Sequence, residues 1–150
     1  MKTIFSATLR DELTHRISLL QASNKAQWGK MNVSQMARHC TIWNEWVLGT
    51  KPYEYKQEFL GKLFGKLALK SNTKDDKPIG KKMPAGRAFV VKEATSDLIS
   101  YQSIWQGQVK AYKDFSNDSF IHDFFGKMTN EQIGIFAYKH NDHHLRQFGG

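Results

Sequence analysis

Cysteine is almost absent: the 150-residue chain contains only Cys40. No intrachain disulfide can form, and the composition suits a reducing compartment. Proline is scarce as well, with three in all, two of them between residues 71 and 90. No stretch approaches eighteen consecutive apolar residues, so a membrane-spanning helix is not expected. The opening MKTIFSATLRDELTHR reaches Arg10 and Asp11 before an apolar run of signal-peptide length develops. These absences point to a soluble, cytoplasmic chain without a membrane partner. Acidic residues are in deficit: 14 against 22 basic ones leave a net charge of +8. That balance permits an anionic partner and names none. The alternating pattern of half-buried strands is nearly missing too, AFVV at 88–91 being the one candidate.

What is present is apolar and aromatic material. Hydrophobic residues make up 40% of the chain, with ten Phe and four Trp. Low-hydrophobicity disorder is excluded on that basis, and the length fits a single domain over 1–150. The periodicity is helical. From a capping Ser6, the residues Leu9, Leu13, Ile17 and Leu20 recur at three- and four-residue spacing to about Gln21. Asn32 can cap a second helix whose stripe runs Val33, Met36, His39, Cys40, Trp43 and Val47, closed by Gly49. A weaker helix at about 58–69 places Leu60, Leu63, Phe64 and Leu67 on one face, interrupted by Gly61 and Gly65. Residues 71–90 read as a long exposed loop. A helix over about 92–112, expected to be the longest, presents Leu98, Tyr101, Trp105, Val109 and Tyr112. Thr129 and Gln132 form a capping box for a last helix through Ile133, Phe136, His140, His144 and Phe148. Four long helices and one weaker one give an all-α fold, a helical bundle.

One echo links two of these helices. WGKMNVSQ at 28–35 and FGKMTNEQ at 125–132 both precede helices that present histidine. They read as two similar lead-in turns, since nothing else aligns at that interval.

The candidate chemistry is concentrated near the end. KHNDHHLRQFGG holds His140, His143 and His144, half of the six histidines in the chain. Residues four apart on a helix share a face, so His140 and His144 project together one turn apart. Their stripe is continuous with Ile133 and Phe136, and His39 lies on the core stripe of another helix. A bundle can therefore bring the three imidazoles to one divalent metal. Three neutral imidazoles with a position left open are the pattern of a catalytic site, whereas structural zinc is usually closed by four protein ligands. Zinc, nickel, copper and iron all accept imidazole, with zinc or nickel expected. His143 lies about a hundred degrees from His144 around the helix, which makes it a rim group, a group that supports the ligands from behind, or an alternative ligand. His122 is a candidate for the rim of the site, with a surface or hydrogen-bonding role as its default, and Trp43, one turn after His39, either walls the site or, as is commoner, fills the core. Cys40 is expected to be a buried apolar thiol and His15 a solvated side chain. Lys62, Lys66 and Lys70 recur every four residues and run on to Lys74, Lys77, Lys81 and Lys82. Without interleaved aromatic groups or a binding motif, such a stripe reads as a solvated face, and nucleic acid is not an expected partner.

The segments GKMNVSQMARHCTIW, FGKMTNEQ and YKHNDHHLRQFG resemble the signature of a branch of the DinB-like helical proteins that is known only as a domain of unknown function. The resemblance covers both ends of the chain. It implies a four-helix bundle carrying a three-histidine metal site, often as a homodimer, with one ligand from the second helix and two from an HxxxH pair on the last. Carried across, these fall on His39, His140 and His144. Relatives of that kind include metal-dependent hydrolases and transferases that use low-molecular-weight thiols. The expected function is accordingly a metal-dependent enzyme acting on a small molecule, with a non-catalytic metal or small-ligand binding protein as the alternative.

Overall fold

The computed structural model describes all 150 residues except Lys82, Pro84 and Ala85, together with the side chain of Arg87. Those three residues belong to the expected loop, and Lys82 to the basic run, so these parts of the expectation lie outside the described residues. The remainder is mostly helical: α1 (Ala7–Ser18), α2 (Val33–Leu48), α3 (Phe59–Thr73), α4 (Leu98–Ala111) and α5 (Asn130–Gln147). Short 3-10 turns occur at Arg87–Phe89 and Tyr112–Asp114.

Helices α1, α2 and α5 begin close to the positions expected. In α5 the capping box of Thr129 with Gln132 forms as read from the sequence, and in α2 the expected cap Asn32 proves to be half of a second box with Gln35; each pair satisfies two backbone N–H groups that a helix start leaves orphaned. The echo between the two lead-in turns also has a backbone cause. Gly29 and Gly126 both adopt left-handed angles, φ 84° and 77°, which a side chain would strain. Gly49, at φ 68°, ends α2 as expected.

Helix α4 departs from the expectation. It is 14 residues long against 18 for α5, so α5 is the longest helix. Asp97 accepts a hydrogen bond from the Ser100 N–H and starts the helix there, leaving 92–97 outside it. The AFVV segment is no strand: its first part forms the 3-10 turn. A two-stranded antiparallel hairpin appears elsewhere, β1 (Ile121–His122) with β2 (Gly126–Lys127). Strands of two residues are too short for alternation to reveal.

Helix α4 packs along α2 and α1, while α5 touches α1, α2 and α3. Their shared core contains Leu13, Ile17, Met36, Val47, Trp105, Val109 and Leu145, all essentially inaccessible. The side chains of Gln102 and Gln106 on α4 donate to the carbonyls of Ile17, Leu20 and Thr14, so α4 also satisfies the C-terminal end of α1.

Between α2, α4 and α5 lies a polar knot. Asn44 and Asn141, both at zero exposure, bond to each other through Asn44 Nδ2 and Asn141 Oδ1 at 3.0 Å. Trp105 Nε1 donates to Asn141 Oδ1, and the Tyr112 hydroxyl donates to Asn44 Oδ1. Each amide nitrogen also reaches a backbone carbonyl one turn back, Cys40 for Asn44 and Ala137 for Asn141. A buried network satisfied in this way has one geometry, and it fixes α2 against α5.

Helix α3 is attached by its glycines. Gly61 and Gly65 are buried, and a Cβ at either would run into the carbonyl of Phe124. Leu69 and Thr73 continue that buried line. The large residues of the expected apolar face, Leu60, Leu63, Phe64 and Leu67, consequently point outward. Sequence spacing puts them on one face but does not say which face is covered.

Candidate metal site

Two helices of different parentage meet at the histidines. His39 sits in the middle of α2, and His140 and His144 occupy successive turns of α5. The Asn44–Asn141 bond lies one turn further along α2 and one residue beyond His140 on α5, so the knot sets the separation of the imidazoles. One nitrogen from each of the three rings lies within 4.8 Å of the other two.

The hydrogen bonds decide which nitrogen is free. His39 Nδ1 stands 2.6 Å from the carbonyl oxygen of Phe89. A carbonyl can only accept, so Nδ1 carries the proton and Nε2 keeps its lone pair. His144 Nδ1 is 2.9 Å from Gln147 Oε1. The orientation of that amide is fixed by its nitrogen, which donates to the Trp28 carbonyl at 2.7 Å. His144 is therefore also protonated at Nδ1, with Nε2 bare. Room for Gln147 comes from Gly29, where a Cβ would lie 2.6 Å from Gln147 Nε2. Such outer hydrogen bonds are how metal-binding histidines are oriented.

His140 is held differently. Its ring stacks on Trp43 at a centroid distance of 3.9 Å and an interplanar angle of 18°. Although the residue keeps some exposed surface, its Nδ1 is buried without a hydrogen-bond partner. Its Nε2 faces His39 Nε2 at 3.3 Å. Since His39 Nε2 is unprotonated, a proton or a cation must lie between the two nitrogens. Tetrahedral coordination with metal–nitrogen distances of about 2.05 Å separates neighbouring donors by about 3.3 Å. The donor chemistry and this spacing both fit a metal ion.

Protonation favours the same use. Burial lowers the pKa of all three imidazoles below 6.5, His140 and His144 well below it. Neighbouring imidazoles depress His140 and His144 further, because each positive charge disfavours the next. The hydrogen bonds to Phe89 and Gln147 partly oppose the effect in His39 and His144. At neutral pH the three rings are uncharged bases, the form a metal binds.

The other candidates separate from this trio. His143 faces Trp28, with ring centroids 5.4 Å apart, and is not in the three-nitrogen cluster. His122 is buried, not on a rim. Its Nδ1 is turned into the β1–β2 hairpin, 3.1 and 3.2 Å from the N–H groups of Phe124 and Phe125, and its ring packs against Phe125 and Phe136. Cys40 is fully buried, with Sγ beside Met36 Sδ, and burial pushes its thiol pKa up. It behaves as the apolar thiol expected. His15 is exposed as expected. Trp43 does more than fill space, since it holds His140 by stacking. The contributions of Phe89, Gln147 and Asn141 were not visible in the spacing of the histidines. A backbone carbonyl fifty residues from His39 leaves no sequence signal. Gln147, three residues after His144 on the same helix, was within reach of helical spacing.

No curated protein and no solved structure matches the chain. The family model described as "Protein of unknown function (DUF1569)" matches residues 5–149, nearly the whole length and every residue of the site. The chain therefore belongs to that family of unknown function, DUF1569.

Proposed function

We propose that His39, His140 and His144 hold one divalent metal ion, zinc or nickel, and that the protein is a metal-dependent enzyme acting on a small molecule by hydrolysis or thiol transfer. The observation that carries this reading is the orientation of His39 and His144: both donate through Nδ1, which leaves Nε2 as the donor atom, with His140 Nε2 at 3.3 Å from that of His39. The arrangement of α1, α2, α4 and α5 around one core also supports assigning the chain to the DinB-like four-helix bundles, where the resemblance in its sequence pointed.

When bound, the ion supplies Lewis acidity, which lowers the pKa of a water or thiol nucleophile toward neutrality. The chain's own residues do the rest. Phe89 and Gln147 keep His39 and His144 in one tautomer, so no proton has to leave either of those two Nε2 atoms before it binds. Trp43 restrains the His140 ring and, with Phe136 alongside it, gives the site an apolar wall. Low polarity there strengthens every electrostatic interaction inside the site. His39, His140 and His144 would hold the ion through three donors, and a site with three rather than four protein donors is the pattern that would admit a water or thiol.

The depth of His39 and His144, both below a tenth exposed, favours a second reading in which the ion chiefly ties α2 to α5. The two are distinguished by measuring metal content and turnover in parallel from mildly acidic to alkaline pH, on esters, amides and low-molecular-weight thiols. An enzyme gains activity near neutrality while metal content stays constant. Metal retained throughout, with a coordination shell that admits neither water nor thiol, contradicts the enzymatic reading.

A further inference from the structure

The outward face of α3 is a large apolar feature that the proposed metal chemistry does not use. Phe59, Leu60, Leu63, Phe64 and Leu67 are between 57% and 73% exposed. At a hundred degrees per residue they fill an arc of about 140°. That arc lies nearly opposite the buried line of Gly61, Gly65, Leu69 and Thr73. Because the buried line runs the length of the helix at four-residue spacing, α3 lies flat along the body, with its whole apolar face turned to solvent at once. Exposed apolar residues gathered in this way mark an interaction surface, where scattered ones would not.

The charge beside the stripe identifies the occupant. Lys62, Lys66 and Lys70 form an exposed row along one margin of it, and α3 contains no acidic residue. Among the described residues none of these lysines takes part in an ion pair; the acids near the end of the helix, Asp75 and Asp76, instead face Lys139 and the Lys2 backbone. The chain as a whole carries +8. A second copy would cover the stripe poorly. In antiparallel pairing like flank meets like flank, so Lys62 and Lys66 would face their own copies, and Glu58 at the helix cap is the one acid on that flank; in parallel pairing the row would meet the flank of Phe64 and Ala68, which offers no acid. Against the expectation from sequence of no membrane partner and a merely solvated lysine face, we propose that α3 docks this face on an anionic lipid bilayer surface, its apolar residues entering the boundary of headgroups and acyl chains while the lysine row meets lipid phosphates. An apolar face with a basic margin on a helix lying in the plane is the pattern of interfacial binding. No helix among the described residues is long and apolar enough to cross a membrane, so the contact is with the surface.

The test is sedimentation of the full chain with vesicles of phosphatidylcholine alone and of phosphatidylcholine with phosphatidylglycerol, at low and high salt. We expect binding to the anionic vesicles only, weakened by salt. Lys62→Gln/Lys66→Gln/Lys70→Gln should lose on the order of a hundredfold in partitioning. Leu63→Gln/Leu67→Gln, at exposed positions, should abolish binding while leaving the circular dichroism spectrum and melting temperature unchanged. Absence of binding to anionic vesicles overturns the proposal. So does equal binding to neutral vesicles, or binding retained by the leucine variant, which would reduce the effect to diffuse surface charge. A dimer in sedimentation equilibrium that the leucine variant dissociates, with no vesicle binding, would assign the face to a second copy.

Discussion

Replacing Gln147 separates the orientation of a ligand from the stability of the fold. Gln147 is buried and uses both ends of its amide, Oε1 accepting from His144 Nδ1 and Nε2 donating to the Trp28 carbonyl. Gln147→Leu keeps approximate volume and removes both bonds. The Trp28 carbonyl and the His144 N–H then lose their partners, at a cost of about 1–3 kcal/mol for each group left buried. His144 is also free to rotate or change tautomer, and losing such an orienting partner typically weakens metal binding about 10–100-fold. Gln147→Glu distinguishes the two effects. It preserves an acceptor for His144, now charged, and loses only the donor to Trp28. Affinity should be kept or increased in the glutamate variant, while both variants lose stability. Competition against a chromophoric chelator gives the affinities, and urea titration of the metal-free proteins gives the stabilities. Equal affinity in the wild type and Gln147→Leu would refute the claim that this amide orients a metal ligand.

Three further outcomes follow from the same geometry. Chelation should lower the melting temperature, because an ion joining α2 to α5 binds only the folded chain; at a hundredfold excess over Kd the ion contributes about 2.7 kcal/mol, and calorimetry with and without chelator measures it. In the metal-free protein, stability should fall on acidification from about pH 6.5. Below that value the unfolded chain takes up protons at His39, His140 and His144, whose folded pKa values burial has lowered, and the loss continues until the folded values are reached; a flat profile between pH 7 and 5 in denaturant titrations of wild type, set against His140→Gln, contradicts it. Gly65→Ala should destabilise by up to about 2 kcal/mol, since forcing α3 off the Phe124 carbonyl costs about 1–3 kcal/mol against a gain of about 1 kcal/mol in helix propensity. A more stable variant in urea titration would show that the helix shifts freely.

Much of the site was legible because helices report their own registers. The HxxxH spacing put His140 and His144 on one face whatever surrounds them, and the stripe from Val33 to Val47 put His39 inside. Their meeting depended on a tertiary contact. The asparagines that secure it, Asn44 and Asn141, look in sequence like ordinary polar interruptions of two helices. Helix α3 shows the opposite limit. Its strong apolar periodicity identified a face, but the residues that attach the helix are Gly61 and Gly65, which count against a helix by propensity and count for one only when a backbone passes close by. The expectation overran the start of α4 by six residues although 92–97, KEATSD, carry no large apolar side chain; the stripe begins at Leu98, and the Asp97 cap determines where hydrogen bonding begins.

The most direct test is elemental analysis of the untagged protein and its four histidine variants, purified alike. We expect about one zinc or nickel ion per chain in the wild type and in His143→Ala, and less than about a tenth of that in His39→Ala, His140→Ala and His144→Ala, since each of these removes one of the three proposed donors found among the described residues. A wild-type protein that stays metal-free even after incubation with zinc and nickel, or a His143→Ala variant that loses metal while His144→Ala retains it, would contradict a site built from His39, His140 and His144.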